Sequence, residues 1–253
     1  MSLVTRHSSL FMNVAIIVAA GHGRRMSRSD PKQFLELAGV PIIFHTLKAF
    51  EDCDVIEEII VVLPEQRTAR FHSWAYSYGL RKIKVVVEGG TTRAESVLNG
   101  LHSVTASSAE IVAVHDGVRP FVTPDEIART VEAANLEGAA ILVSSPVDTM
   151  KEVKDGAVVR TLARANLRNA LTPQCFRYEL LRRAFDNIEG SLRSFTDESS
   201  LVERLGAKIA TVEGSARNIK ITTRDDLAFA ETIMKSVGSK LEPQKIGFGS
   251  CRR

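Results

Sequence analysis

Residues 15–39 read AIIVAAGHGRRMSRSDPKQFLELAG, and the way this stretch folds decides the architecture. Small and branched apolar residues run into Gly-His-Gly, two arginines follow, and Pro-Lys-Gln comes soon after. An apolar run of that length, closed by turn residues, is the pattern of a strand buried on both faces. It recurs along the chain: Val14–Ala20, Glu58–Leu63, Lys84–Glu88, Ile111–His115 and Ala139–Ser144 are predicted strands. Helical patterns lie between them, such as Ile43, Leu47 and Phe50 after Pro41. Thr123-Pro124-Asp125-Glu126 is a helix start, with a capping threonine and a glutamate three residues on. Such alternation predicts an α/β fold of Rossmann-like type, a mostly parallel sheet with helices on both faces.

The rhythm breaks at Pro146. Residues 146–164, PVDTMKEVKDGAVVRTLAR, alternate polar with apolar around Lys-Asp-Gly and predict a projecting β-hairpin arm at about 146–166. A polar hairpin of this kind is either a dimer arm or an ordinary surface hairpin. Leu180, Leu181, Ala184, Phe185 and Ile188 then stripe one helix face, and a further helix runs from about Asp197 to Gly206. Strands are expected at Lys208–Val212 and Ile219–Thr222, and a closing helix carries Leu227, Ala230 and Ile233. Residues 12–237 are expected to form a single domain, with flexible tails at 1–11 and 238–253 and Met12 as the natural start.

Composition narrows the function. Lysine and arginine number 33 against 30 aspartates and glutamates, too small an excess for a general nucleic-acid surface. Cys53, Cys175 and Cys251 form no C-x-x-C pair, which excludes a disulfide framework and a thiol-rich zinc site and suits a reducing compartment. Arg6 and His7 ahead of LFMNVAIIVAA resemble a secretory signal. Asn13 interrupts that run, however, and Arg24 and Arg25 stand where a mature protein would begin. A buried first strand and a cytoplasmic protein are the expectation. No apolar run is long enough to span a membrane.

In open α/β sheets, ligands sit where loops leave the carboxyl ends of strands, and Gly-His-Gly opens such a loop. The dinucleotide fingerprint fails, because Met26 holds its third glycine position, and the pattern G-x-x-x-x-G-K-[ST] is absent. Gly21 and Gly23 let backbone N–H groups approach phosphate oxygens, while Arg25 and Lys32 add two charges, a combination suited to polyphosphate. Asp116, in VHDGVRP, lies at another strand end and can hold magnesium on such a phosphate. Read alone, an aspartate there is better taken as a helix cap or a structural salt-bridge partner of Arg119. GGTTRAESV supplies a third glycine turn, with Ser96 placed to meet a base edge or merely to face solvent.

In order, AAGHGRRM, PKQFLELAGVPI, GGTTRAESV, VHDGVRPFV, LTPQCF, FTDESSLVE and VEGSARNIKITTRDDLAFAE are spread across Val14–Glu231. This ordered set resembles the motifs of the 2-C-methyl-D-erythritol 4-phosphate cytidylyltransferases, with the ribitol-5-phosphate cytidylyltransferases as a sister group. The resemblance implies a nucleotidyltransferase fold. It implies an enzyme that joins CTP to a sugar-alcohol phosphate, releasing pyrophosphate with magnesium on the triphosphate and Asp116 as its ligand. Arg25, Lys32, Arg164 and Lys220 would be catalytic. Ala19, Ala20, Gly21, Gly23, Gly90, Ser96, Asp116 and Gly117 would cradle the nucleotide. Arg119, Thr149, Arg164, Thr172 and Lys220 would hold the second substrate, and the hairpin would be the arm of a homodimer. Three departures bear on the acceptor: a shortened Pro146–Thr149 stretch, an Ala-Arg-Ala-Asn-Leu-Arg context around Arg164, and Gly117-Val118 after Asp116. No feature supports a nucleic-acid or membrane partner.

Overall fold

The computed structural model describes residues 12–21, 31–105, 109–188, 191–238 and 241. The expected tails lie largely outside these, as do Gly23 and Arg25. Strand β1 (Met12–Val18) is followed by a 3-10 turn at Lys32–Phe34 and a small ribbon of β2 (Glu36–Leu37) with β3 (Val40–Pro41). Helix α1 (Ile42–Glu51), β4 (Glu58–Leu63), α2 (Phe71–Ser77), β5 (Ile83–Glu88) and α3 (Arg93–His102) complete the first half. Next come β6 (Ala109–Asp116), α4 (Pro124–Glu137), β7 (Ala139–Ser144), and the hairpin of β8 (Lys151–Lys154) and β9 (Ala157–Thr161). The chain closes with β10 (Asn169–Arg177), α5 (Tyr178–Asp186), α6 (Glu198–Glu203), β11 (Ala210–Glu213) and α7 (Arg224–Val237).

The main sheet has the order β11-β7-β10-β6-β1-β4-β5. Its strand pairs are parallel except where β10 runs antiparallel between β6 and β7. Strand β1 lies between β4 and β6, so its side chains alternate between two dry faces. Ala15 and Ile17 join Phe44, Leu47, Phe50, Ile127 and Val131 under α1 and α4. Val14 and Ile16 join Val97, Leu101, Leu181, Phe185 and Leu201 under α3, α5 and α6. A third cluster of Leu37, Ile42, Val118, Ile221, Ala230 and Met234 seats α7 and the β2–β3 ribbon beside the loop after β6.

The helix starts follow their capping chemistry. Thr123 accepts from the Glu126 N–H and the Glu126 carboxylate returns to the Thr123 N–H, and matching boxes open α3 at Thr92 and α7 at Thr223. One expectation is corrected. Ile219–Thr222 is not a strand: it crosses the end of the sheet, buries Ile221, and donates the Ile221 N–H to Val118 O at 3.0 Å. Strand β10, a segment left without an element in the sequence reading, holds Pro173 in its interior, where a proline is uncommon. The ladder with β7 breaks register between Ala170 and Gln174, which accommodates the proline. In the hairpin, Asp155 and Gly156 take φ of 50° and 79°, the two left-handed positions of a tight turn. Every residue of β8 and β9 is exposed.

Candidate active site

The loops leaving the carboxyl ends of β1, β5 and β6 border one cavity of about 750 Å³. Val18 to Gly21 form one wall, Gly90 to Arg93 a second, and Asp116 and Val118 a third. Lys32 and Gln33 enter from the 3-10 turn, Lys220 from the segment before α7, and Leu192, Arg193 and Phe195 from the segment before α6.

Backbone pairing sets the first wall. Ala19 N–H donates to Val62 O at 2.8 Å, and the buried Gln33 amide donates to Ala19 O. Gly117 N–H donates to Val18 O at 2.9 Å, tying the β6 loop to the same strand end. In the second wall Ser96 Oγ donates to Thr92 O at 2.8 Å and accepts the Gly90 N–H at 3.1 Å. A Cβ on Gly90 would stand 2.3 Å from Glu95 Cβ, so only glycine lets this loop close on the first turn of α3.

The charged centre is Asp116, 5% exposed at the end of β6. Arg93 Nε lies 3.0 Å from Oδ1, while Lys220 Nζ and Arg119 Nε lie 2.9 and 3.4 Å from Oδ2. Burial opposes ionisation, but Arg93, Lys220 and Arg119 outweigh it and hold the carboxyl well below the usual carboxylate range. Arg93 also reaches buried Glu198 in the first turn of α6. Burial works against the Arg93 charge, and the two carboxylates reverse that and raise its pKa. Asp197, the N-cap of α6, accepts from Ser200 N–H at 3.1 Å and from the Gln174 amide at 2.8 Å.

Behind Asp116 runs a chain of hydrogen bonds. His115 Nε2 faces Arg119 O at 3.3 Å, an acceptor only, so that nitrogen carries the proton. Nδ1 then accepts from Thr172 Oγ1 at 2.9 Å, and Thr172 Oγ1 accepts the Asp116 N–H at 3.2 Å. Asn218 donates to Thr172 O at 2.9 Å, and its own carbonyl accepts from Arg119 at 2.7 Å.

The cavity thus gathers Ala19, Ala20, Gly21, Lys32, Gly90, Ser96, Asp116 and Lys220 among the expected site residues. Gly117 lies beside its wall. Arg119 and Thr172 are turned inward as supports of Asp116 and are not among the lining residues. Thr149 and Arg164 are exposed away from it, and Arg164 donates to Val147 O at 2.6 Å. Gly23 and Arg25 fall outside the described residues. The sequence reading missed Arg93 and Glu198 as partners. Arg93 follows a legible helix cap, but its carboxylate lies 105 residues away.

Asp116 is the single carboxylate lining the cavity among the described residues, and no group of three His, Cys, Asp or Glu side chains stands together there. Its hard oxygens suit magnesium as one protein ligand, with phosphate oxygens and water completing the shell. The residues therefore fit a metal carried on a polyphosphate.

A protein-family model described as IspD, 2-C-methyl-D-erythritol 4-phosphate cytidylyltransferase, matches residues 13–236. The 2-C-methyl-D-erythritol 4-phosphate cytidylyltransferase of Geotalea uraniireducens is 42% identical over 229 residues, 89% of this chain and 98% of that protein. Its counterpart in Syntrophus aciditrophicus is 43% identical over 224 residues, covering 88% and 95%. The crystal structure of 4-diphosphocytidyl-2C-methyl-D-erythritol synthase from Anaerococcus prevotii matches with a TM-score of 0.79 at 32% identity, covering 89% and 97%. That of the Francisella tularensis cytidylyltransferase gives 0.71 at 36%, covering 87% and 99%.

Proposed function

The chain belongs to the 2-C-methyl-D-erythritol 4-phosphate cytidylyltransferase family, and from that premise we propose how its cavity joins CTP to 2-C-methyl-D-erythritol 4-phosphate. The products are 4-diphosphocytidyl-2-C-methyl-D-erythritol and pyrophosphate, a step of non-mevalonate isoprenoid synthesis. The observation that carries this placement is the meeting of Lys32, Lys220 and Asp116 with the glycine-lined walls at one end of the sheet.

An acceptor phosphate oxygen attacks the α-phosphorus of CTP, the bond from that phosphorus to the β-bridging oxygen breaks, and pyrophosphate leaves. Negative charge shifts onto the equatorial oxygens and the leaving group, so positioned cations and amides do most of the catalysis. Lys32 is held for that task by Ile221 O, 3.0 Å from its Nζ. Lys220 starts on Asp116 and can transfer its charge to an arriving phosphate. Arg93 keeps Asp116 oriented. The backbone at Ala19 to Gly21, with Gly90 and Ser96, receives the nucleoside. Bound magnesium supplies charge neutralisation on the triphosphate, with Asp116 as the residue that would hold it.

The same reading includes Arg25 as a second transition-state cation. It also includes a homodimer whose hairpin carries Thr149 and Arg164 to the acceptor, and action in the cytoplasm. Buried Cys53 and Cys175 are free thiols, which suits a reducing compartment. Among the described residues no helix is long and apolar enough to cross a membrane.

Magnesium-dependent pyrophosphate release from CTP, with both acceptors in parallel, tests the reading. Faster turnover with 2-C-methyl-D-erythritol 4-phosphate is expected. Preference for ribitol 5-phosphate would reassign the acceptor, and no release with either would end the proposal.

A further inference from the structure

We propose that Arg193 holds the nucleoside half of CTP, an assignment that rests on the cytidylyl-transfer reading above. Four cations line the cavity: Lys32, Arg93, Arg193 and Lys220. Three are tethered inside the protein, Lys32 on Ile221 O, Arg93 on Asp116 and Glu198, and Lys220 on Asp116. Arg193 differs. Among the described residues its guanidinium makes no hydrogen bond or ion pair, and only its backbone N–H is used, donating to Ser191 Oγ at 3.2 Å. A cavity cation with its guanidinium donors unspent can take a ligand without giving up an internal contact.

Its surroundings say which part of the ligand it meets. Arg193 lies on the 3-10 turn Leu192–Ser194, whose flanks are fixed. Leu192 and Phe195 are half-buried against the cluster of Val97, Leu101 and Leu201, and the Arg204 guanidinium sits 5.2 Å over the Phe195 ring. The fixed turn leaves Arg193 exposed at the cavity rim. Glu95, in the first turn of α3, has its carboxyl below the usual range through the Thr91 hydroxyl first, then the Thr92 and Thr91 N–H groups, with Arg193 last. Glu95 Oε2 accepts the N–H groups of Thr91 and Thr92 at 2.6 and 3.1 Å. The turn packs against α3, so Arg193 shares the cavity with the Gly90–Thr92 wall assigned to the nucleoside. A planar guanidinium with five donors suits a pyrimidine, whose ring face it can cover and whose ring acceptors it can reach.

The test compares wild type, Arg193→Ala and Arg193→Lys, each checked for folding by circular dichroism. For Arg193→Ala, KM for CTP rises roughly tenfold to a hundredfold, the range of one charge-assisted hydrogen bond, while kcat and the acceptor KM hold. Inhibition by CMP weakens by the same factor and inhibition by pyrophosphate does not. Arg193→Lys recovers only part of the loss, because an ammonium lacks the planar fork. Unchanged CMP inhibition overturns the proposal, and so does a loss confined to pyrophosphate or to the acceptor. Calorimetric binding of CMP to each form decides the role of Arg193 separately. A wild type that binds CMP but releases no pyrophosphate from CTP therefore refutes the reaction and leaves Arg193 tested.

Discussion

At the residue scale, the site is a balance of charges taken out of water. Lys32 is anchored on the Ile221 carbonyl at 3.0 Å and lines the cavity, where it can meet a phosphate. Lys32→Ala is therefore expected to lower turnover by roughly a hundredfold to a thousandfold, the usual loss for a transition-state donor. Circular dichroism and CTP binding would check that the fold and the cavity survive. His115 makes a pH prediction. Burial lowers its pKa to about 3, whereas an unfolded imidazole titrates near about 6.5. Between those values the unfolded chain binds the extra proton, so stability falls as pH drops through that window. Asp116 acts with the same sign in a lower window: its folded pKa is depressed, so its contribution stands above the ordinary carboxylate pKa and fades only in stronger acid. Urea midpoints between pH 4.5 and 6.5 should fall with acid in wild type and fall less in His115→Gln. Buried His45, lowered in the same direction, keeps some slope in both.

At the element scale, the three capping boxes differ in where they stand. The box of α4 at Thr123 lies away from the active-site cavity, whereas Thr92 of α3 lines it. Thr123→Ala should cost about 1 kcal/mol of stability in chemical denaturation and leave KM for CTP where it was. A shift in KM would show that α4 communicates with the site, which its packing gives no reason to expect. The 3-10 turn at Lys32–Phe34 has another kind of anchor. Phe34 stacks on Trp74 at 6.1 Å and meets Phe71 edge-on at 6.4 Å, so aromatic packing holds the turn that carries Lys32.

At the scale of the whole molecule, the hairpin is the part that the monomer leaves unexplained. Val153 and Val158 pair across the two strands yet are 58% and 61% exposed. A two-stranded ribbon is marginal in water unless something covers it, and a second copy of the chain is the covering proposed above. Val153→Asp combined with Val158→Asp should shift sedimentation from dimer to monomer and remove most turnover together. A wild-type monomer with full activity would refute the arm.

Much of this architecture was legible from the chain alone. Glu58–Leu63 and Ala139–Ser144 form strands with the expected bounds, and the Thr123 box caps α4 as read. Those signals are local: hydrophobic period, cap chemistry and turn residues act within a few positions of one another. The glycine-and-cation pattern likewise marked Lys32, Gly90 and Asp116, because strand ends collect ligand loops in any parallel sheet. Tertiary structure decided the rest. It set β10 antiparallel between β6 and β7 despite Pro173, and it turned Arg119 and Thr172 inward to support Asp116. It also joined Arg93 to Glu198 across 105 residues of chain. No local pattern encodes such pairings, because a buried charge takes whichever opposite charge the packed helices bring to it.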